Sequence, residues 1–202
     1  MKKVFLAVVA VMGLAFYSVA SDGYSIDSSV ADFKLKNIDG KIVSLSDYPA
    51  AKGFIITFTC NHCPYAKAYE DRIVALNKKY AVKGYPVIAI NPNDAVQYPE
   101  DNFDNMKLRA EEKKFTFPYL VDETQEIAKT FGAIKTPHIY VVQKEGKNIK
   151  VKYIGAIDDN WENPEIVNQK YVEDAVNALL NNKEVVVKTT KAIGCSIKWK
   201  KQ

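Results

Sequence analysis

The hydrophobic pattern of this chain changes period several times, and each change predicts an element. Phe54-Ile55-Ile56-Thr57-Phe58 and Val87-Ile88-Ala89-Ile90 are apolar without alternation, as strands buried on both faces are. Between them, from Pro64 onward, Tyr69, Ile73, Leu76 and Tyr80 recur at helical spacing, and Gly84 closes that helix. Upstream, Phe33-Lys34-Leu35 and Ile42-Val43-Ser44-Leu45 flank Asp39-Gly40 and read as a β-hairpin.

Downstream, a loop over residues 91–101 precedes a helix over 102–114 and a short strand over 118–121. A helix over 124–131 follows, capped by Asp122 or Thr124 and closed by Gly132. Strands over 139–142 and 151–154 surround the Glu145-Gly146 turn. Residues 167–180 form a last helix with Val172, Ala175, Val176 and Leu179 on one face. Strands alternating with helices in this order describe an α/β layered domain. The length suits one such domain plus extras, and there is no internal repeat.

The N-terminus changes the picture. Lys2 and Lys3 precede an uncharged apolar run over residues 4–16, and Ser18-Val19-Ala20 then offers a small-x-small site. This is the pattern of a secretory signal peptide cleaved after Ala20; an uncleaved anchor is the alternative. The run is short for a membrane span, no other stretch could cross a bilayer, and no cysteine near the cleavage region offers a lipid anchor. The expected organisation is a signal peptide over 1–20, a domain over 21–181 and a C-terminal basic arm over 182–202. The mature chain is expected to be periplasmic or secreted, without stable membrane insertion.

Without Lys2 and Lys3, 26 basic side chains face 24 acidic ones, a balance too mild to point to nucleic acid. The lysines after Asn182 read as a solvated tail, with contact to a membrane or an acidic partner as the alternative. An exported chain meets an environment where disulfides persist, yet this one carries only Cys60, Cys63 and Cys195. Three cysteines are too few for a stapled scaffold, so they point to reactivity, and one lacks an obvious partner.

Cys60-Asn61-His62-Cys63-Pro64 lies where a buried strand hands over to a helix. Unpaired first-turn N–H groups and the helix dipole would stabilise a thiolate on Cys60 there. Pro64 suits the first turn, where no N–H is needed. An imidazolium at His62 would favour the thiolate further and make the pair more oxidising; a solvent-exposed histidine without that role is the alternative. A structural zinc site needs four ligands, and Cys195, His62 and His138 form no second cluster to complete it, so neither metal nor cofactor is expected. Further along, Gly132 ends a helix and Thr136-Pro137 opens an apolar strand, a position where proline breaks no ladder.

Together, strand–Cys-x-x-Cys-Pro–helix and a downstream Thr-Pro before a strand resemble the thioredoxin-like superfamily. The hairpin near Ala31-Asp32-Phe33 and a strand–loop–helix inserted between Ala81 and Phe117 narrow the resemblance to its redoxin branch, the TlpA-like and AhpC/TSA-type thiol–disulfide oxidoreductases. The resemblance covers roughly residues 27–181. It implies a three-layer α/β/α fold around a central mixed sheet. It implies that Cys60 is the exposed nucleophile, Cys63 the buried resolving cysteine and Pro137 a cis-proline facing them. Thr136 would then pair its backbone with a bound partner chain. The implied partners are protein disulfides or dithiols, plus a recycling redox protein at the membrane.

Two residues depart from the pattern. Thr59 stands where these proteins usually carry Trp, which leaves partner preference open. His138 follows the proline, where an uncharged residue is commoner; it reads as a tuning base or as a buried strand residue satisfied by hydrogen bonds. A thiol peroxidase is the first rival function, because Thr57 stands three before Cys60, although Gly53 replaces the usual proline and neither Arg72 nor Arg109 is assigned by a motif. A copper carrier using both cysteines and His138 is the second. Finally, Ile193, Cys195, Ile197 and Trp199 alternate, which predicts a terminal strand or arm with one face packed. Cys195 is either a buried structural thiol or a third redox cysteine pairing with Cys60 or with another chain.

Overall fold

The computed structural model describes residues 23–201, so the expected signal peptide and its expected cleavage after Ala20 lie outside the described residues. Nine strands and four α-helices follow in the order β1 (Lys34–Asn37), β2 (Ile42–Ser44), β3 (Gly53–Phe58), α1 (Pro64–Tyr80), β4 (Val87–Asn91), α2 (Phe103–Glu112), β5 (Tyr119–Val121), α3 (Glu126–Phe131), β6 (Lys135–Thr136), β7 (His138–Glu145), β8 (Asn148–Gly155), α4 (Tyr171–Leu180) and β9 (Cys195–Ser196).

Seven strands form one mixed sheet in the order β2-β1-β5-β4-β3-β7-β8. β3, β4 and β5 are parallel, and the pairs β3–β7, β7–β8, β1–β5 and β1–β2 are antiparallel. β3 is buried throughout, because it lies between β4 and β7 and both sheet faces are covered. On one face Ile55, Val87, Ala89 and Val141 pack with Tyr69, Ile73 and Leu76 of α1, Met106 of α2 and Val172, Val176 and Leu179 of α4. On the other, Phe54, Ile56, Phe58, Ile88 and Ile90 pack with Ala128 and Phe131 of α3 and with Val30, Phe33 and Leu45. The helical stripes read from the sequence are the faces buried here, and the result is the three-layer thioredoxin-like arrangement.

Three expectations shift. The last helix begins at Tyr171, not at residue 167, because the preceding backbone is tied elsewhere: Asn168 N–H donates to Asp159 Oδ1 and Asp159 N–H to the Gln169 carbonyl. α3 begins at Glu126 behind Gln125, which adopts a left-handed conformation with φ 63°. Asp122 still caps it from a distance, its Oδ2 accepting from Ala128 N–H at 2.8 Å.

The third shift concerns the tail, which is not a solvated segment. The Ile154–Thr189 bridge sets it beside β8, β9 pairs antiparallel with β6, and Ile197 is 3% exposed within the α3-side core. Ile193, Cys195 and Ile197 supply the packed side, whereas Trp199, expected on the same face, is exposed, and most of the tail's lysines stay outside. Gln125 clasps the end, donating through Nε2 to the Lys198 carbonyl and accepting Lys200 N–H on Oε1.

Candidate active site

The parallel strands β3 and β4 end side by side, and the site is built on their carboxyl ends, where ligands of open α/β sheets gather. β3 leads through Thr59 into Cys60, a turn at Asn61-His62, and Cys63, which is the N-cap of α1, with Pro64 in its first turn. Opposite stands the Thr136–Pro137 peptide, which is cis. Cys60 Sγ lies 3.2 Å from Thr136 Oγ1, and Cys63 Sγ lies 3.1 Å from the Thr136 carbonyl oxygen. The structure therefore brings Cys60, Cys63, Thr136 and Pro137 together.

Cys60 is not exposed. It is 2% accessible, Cys63 is fully buried, and both pack with Ala66 under Tyr65 and Cys195. Cys63 is the capping residue, and donors converge on its sulfur. The Cys60 thiol leads them, burial opposes them, and the Cys195 thiol and the Ala66 and Cys195 N–H groups add to them; together they lower Cys63 below the ordinary thiol range. Cys60 is pushed up in turn by the hydrogen bond to Cys63, by burial and by the Asp101 carboxylate.

Thr136 holds a second correction. Its backbone does pair with a chain, but with this chain's own arm: Cys195 is the residue opposite Thr136 in the β6–β9 ladder. That register sets Cys195 Sγ 2.6 Å from Cys63 Sγ, and Cys195 N–H points at the same sulfur at 3.4 Å. Burial, followed by the hydrogen bond it shares with Cys63 and by the charge that Cys63 can carry, pushes Cys195 up.

His62 faces Asp101, which sequence reasoning missed. His62 Nδ1 lies 2.5 Å from Asp101 Oδ2, and the imidazole stacks on Tyr98. Asp101 is buried and saturated: Oδ1 accepts Asn61 and His62 N–H, and Oδ2 also accepts Asn93 Nδ2. Among the described residues, Cys60, His62 and Asp101 hold ligand-type atoms within 4.8 Å of one another. With both carboxylate oxygens already engaged, this cluster orients His62 before it can offer a metal anything. The available signal was the Asn- and Asp-rich loop after β4, at the same sheet end as the cysteines.

His138 lies outside that cluster. It is buried, its Nδ1 accepts Ile134 N–H at 3.4 Å, and burial lowers it to about 4, so it is neutral. Thr59 is buried, its N–H bonded to the Ile90 carbonyl, and the aromatic rim is built instead by Tyr65 against Trp161, with ring centroids 4.4 Å apart.

Residues 26–152 match the family model described as AhpC/TSA family. The chain belongs to the AhpC/TSA family. A thiol-disulfide oxidoreductase ResA of Bacillus thuringiensis is 26% identical over 134 residues, 66% of this chain and 73% of that protein. An uncharacterized conserved protein from Geobacillus kaustophilus is 41% identical, with TM-score 0.82, covering 94% of this chain and 100% of that one. A putative thiol:disulfide interchange protein DsbE from Chlorobium tepidum, 18% identical with TM-score 0.58 over 77% of this chain and 98% of its own, shares the thioredoxin-like fold. The protein is thus a redoxin of the thiol–disulfide oxidoreductase type.

Proposed function

We propose that this redoxin exchanges disulfides with partner proteins through Cys60 and Cys63, as an extracytoplasmic enzyme. The observation that carries the reading is the cysteine pair at a strand-to-helix junction with both sulfurs against Thr136. In the reducing direction, Cys60 passes its proton to the Cys63 sulfur and attacks a partner disulfide, forming a mixed disulfide while one partner sulfur leaves with the electron pair. Cys63 then attacks Cys60 Sγ, the second partner sulfur leaves, and the enzyme keeps the Cys60–Cys63 disulfide. Written backwards, the same steps oxidise a dithiol. Thr136 can pair with a partner backbone once the arm has left it. His62, held by Asp101, is the charge-tuning residue beside Cys60.

The exported location rests on the signal-like N-terminus. No helix among the described residues is long and apolar enough to cross a membrane. A membrane-borne redox protein is the recycling partner that such a location calls for.

The peroxidase reading draws little support from the site. Thr57 Oγ1, three before Cys60, has no hydrogen-bond partner, and both arginines are engaged elsewhere: Arg72 with Asp158, Arg109 with Glu70 and Glu112. The test is reduction of insulin disulfides with dithiothreitol as electron source. Wild type should reduce insulin, and Cys60→Ser and Cys63→Ser should not. Peroxide consumption that needs Cys60 and survives Cys63→Ser would overturn the proposal.

A further inference from the structure

The C-terminal arm does something that the two-cysteine cycle leaves unused. It fills the edge of Thr136 where a partner strand would pair, and it presents a sulfur to Cys63 rather than to Cys60. Several independent contacts fix that register. Ile197 N–H donates to the Ile134 carbonyl, Lys198 N–H donates to Asn93 Oδ1, and Asp94 N–H donates to the Lys198 carbonyl. Gly194 passes directly over the Thr136 carbonyl. Among the three sulfurs, Cys195 alone is half-buried rather than buried.

We propose that Cys195 is a third redox residue, which takes the Cys63 sulfur over from Cys60 so that reducing equivalents enter the enzyme through a Cys63–Cys195 disulfide. This rests on the exchange chemistry proposed above. In the enzyme left as the Cys60–Cys63 disulfide, Cys195 sulfur attacks Cys63 Sγ. The Cys63–Cys195 bond forms, the Cys60–Cys63 bond breaks, and Cys60 leaves with the electron pair and takes up the proton that Cys195 gives. No electron enters or leaves in this step.

An external dithiol then attacks Cys195 Sγ, and Cys63 leaves as thiolate. The second sulfur of the dithiol attacks the first, releasing Cys195 as thiol. The donor becomes a disulfide, and two electrons have reached the enzyme. The regiochemistry follows from accessibility and from the leaving group: Cys195 is the sulfur a donor can reach, and the donor groups around Cys63 stabilise its departing charge. Attack on the Cys60–Cys63 disulfide itself needs the arm to leave Thr136 first, the opening that a partner protein also requires, whereas Cys195 is half-buried with the arm in place.

Disulfide mapping after oxidation in a glutathione buffer, acid quench and alkylation tests this. Cys60→Ser should form the Cys63–Cys195 disulfide, seen as tryptic peptide 53–67 joined to 192–198. Glutathione added to that oxidised form should be captured on Cys195. In full-length protein, Cys195→Ser should still form Cys60–Cys63 but be reduced by dithiothreitol about tenfold more slowly than wild type. A Cys60→Ser protein that stays dithiol, a glutathione adduct on Cys63, or equal reduction rates would overturn the proposal while leaving the exchange reading intact. Failure of Cys195→Ser to form Cys60–Cys63 would overturn that reading, and this proposal with it. Should a variant not fold, the joined peptides of oxidised wild type decide, with fragmentation between Cys60 and Cys63 placing the link: a link on Cys63 supports the third redox role, and a link on Cys60 or none refutes it.

Discussion

Gly194 lies so close over Thr136 that a Cβ on it would stand 2.2 Å from the Thr136 carbonyl oxygen and 3.0 Å from the Pro137 nitrogen. Backbone atoms cannot move aside as a flexible side chain can. Gly194→Ala should therefore lift β9 off β6 at a cost of about 1–3 kcal/mol, typical of overpacking. Thermal denaturation should report the loss, and a thiol-specific chromophore should label Cys60 and Cys63 faster than in wild type. Unchanged labelling would mean that the arm does not shield the pair.

Asp101 is the electrostatic counterpart of that shield. Asp101→Asn turns one accepting oxygen into an N–H₂ that meets the donors of His62 and Asn93. Breaking hydrogen bonds to a buried charge should cost about 1.5–3 kcal/mol. Removing the carboxylate should also lower the pKa of Cys60, because Asp101 is one of the groups holding it up, after the Cys63 bond and burial. The pH dependence of thiolate absorbance in Cys63→Ser/Cys195→Ser backgrounds, with and without Asp101→Asn, checks the direction.

His138 should make the fold acid-sensitive. Its folded value, about 4, lies below the ordinary 6.5, so the unfolded chain binds more protons between them. Stability is thus retained above pH 6.5 and lost as pH falls toward about 4, by about 3 kcal/mol at most. Urea denaturation of wild type and His138→Gln across that window should give a shallower pH slope for the variant. Equal slopes would remove His138 from the account.

Thr57 supplies a test that separates two chemistries. Its buried hydroxyl has no partner, and replacing such a group by an apolar one of the same shape is close to neutral or stabilising. Thr57→Val should keep insulin reduction and match or exceed the wild-type melting temperature. A selective loss of peroxide turnover would instead assign Thr57 to a peroxidatic cysteine.

What the sequence revealed and what it hid divide along physical lines. The uninterrupted runs of β3 and β4 and the stripes of α1 and α4 were legible because burial imposes a period that survives in one dimension. The cysteine pair and Thr136-Pro137 were legible as local patterns. Asp101 was not, since its role comes from β4 ending beside β3, a long-range event that a polar loop does not announce. The same holds for the surroundings of Cys63: the helix start, with the Ala66 N–H, was visible, but the Cys195 donors depend on where the arm lands. The alternation of Ile193, Cys195 and Ile197 did predict a packed arm, although Trp199 at its end is exposed, and only the register with Thr136 says which sulfur it meets.

Because the arm is part of the chain, it competes with any partner as a tethered ligand. A short flexible tether holds its ligand at an effective concentration of order millimolar, independent of how dilute the enzyme is. A partner must exceed that level, through affinity or through confinement beside the enzyme, before it gains the Thr136 edge. Chance encounters with weakly binding thiol proteins would fail this threshold, so the strap acts as a selectivity filter that needs no side-chain recognition of its own.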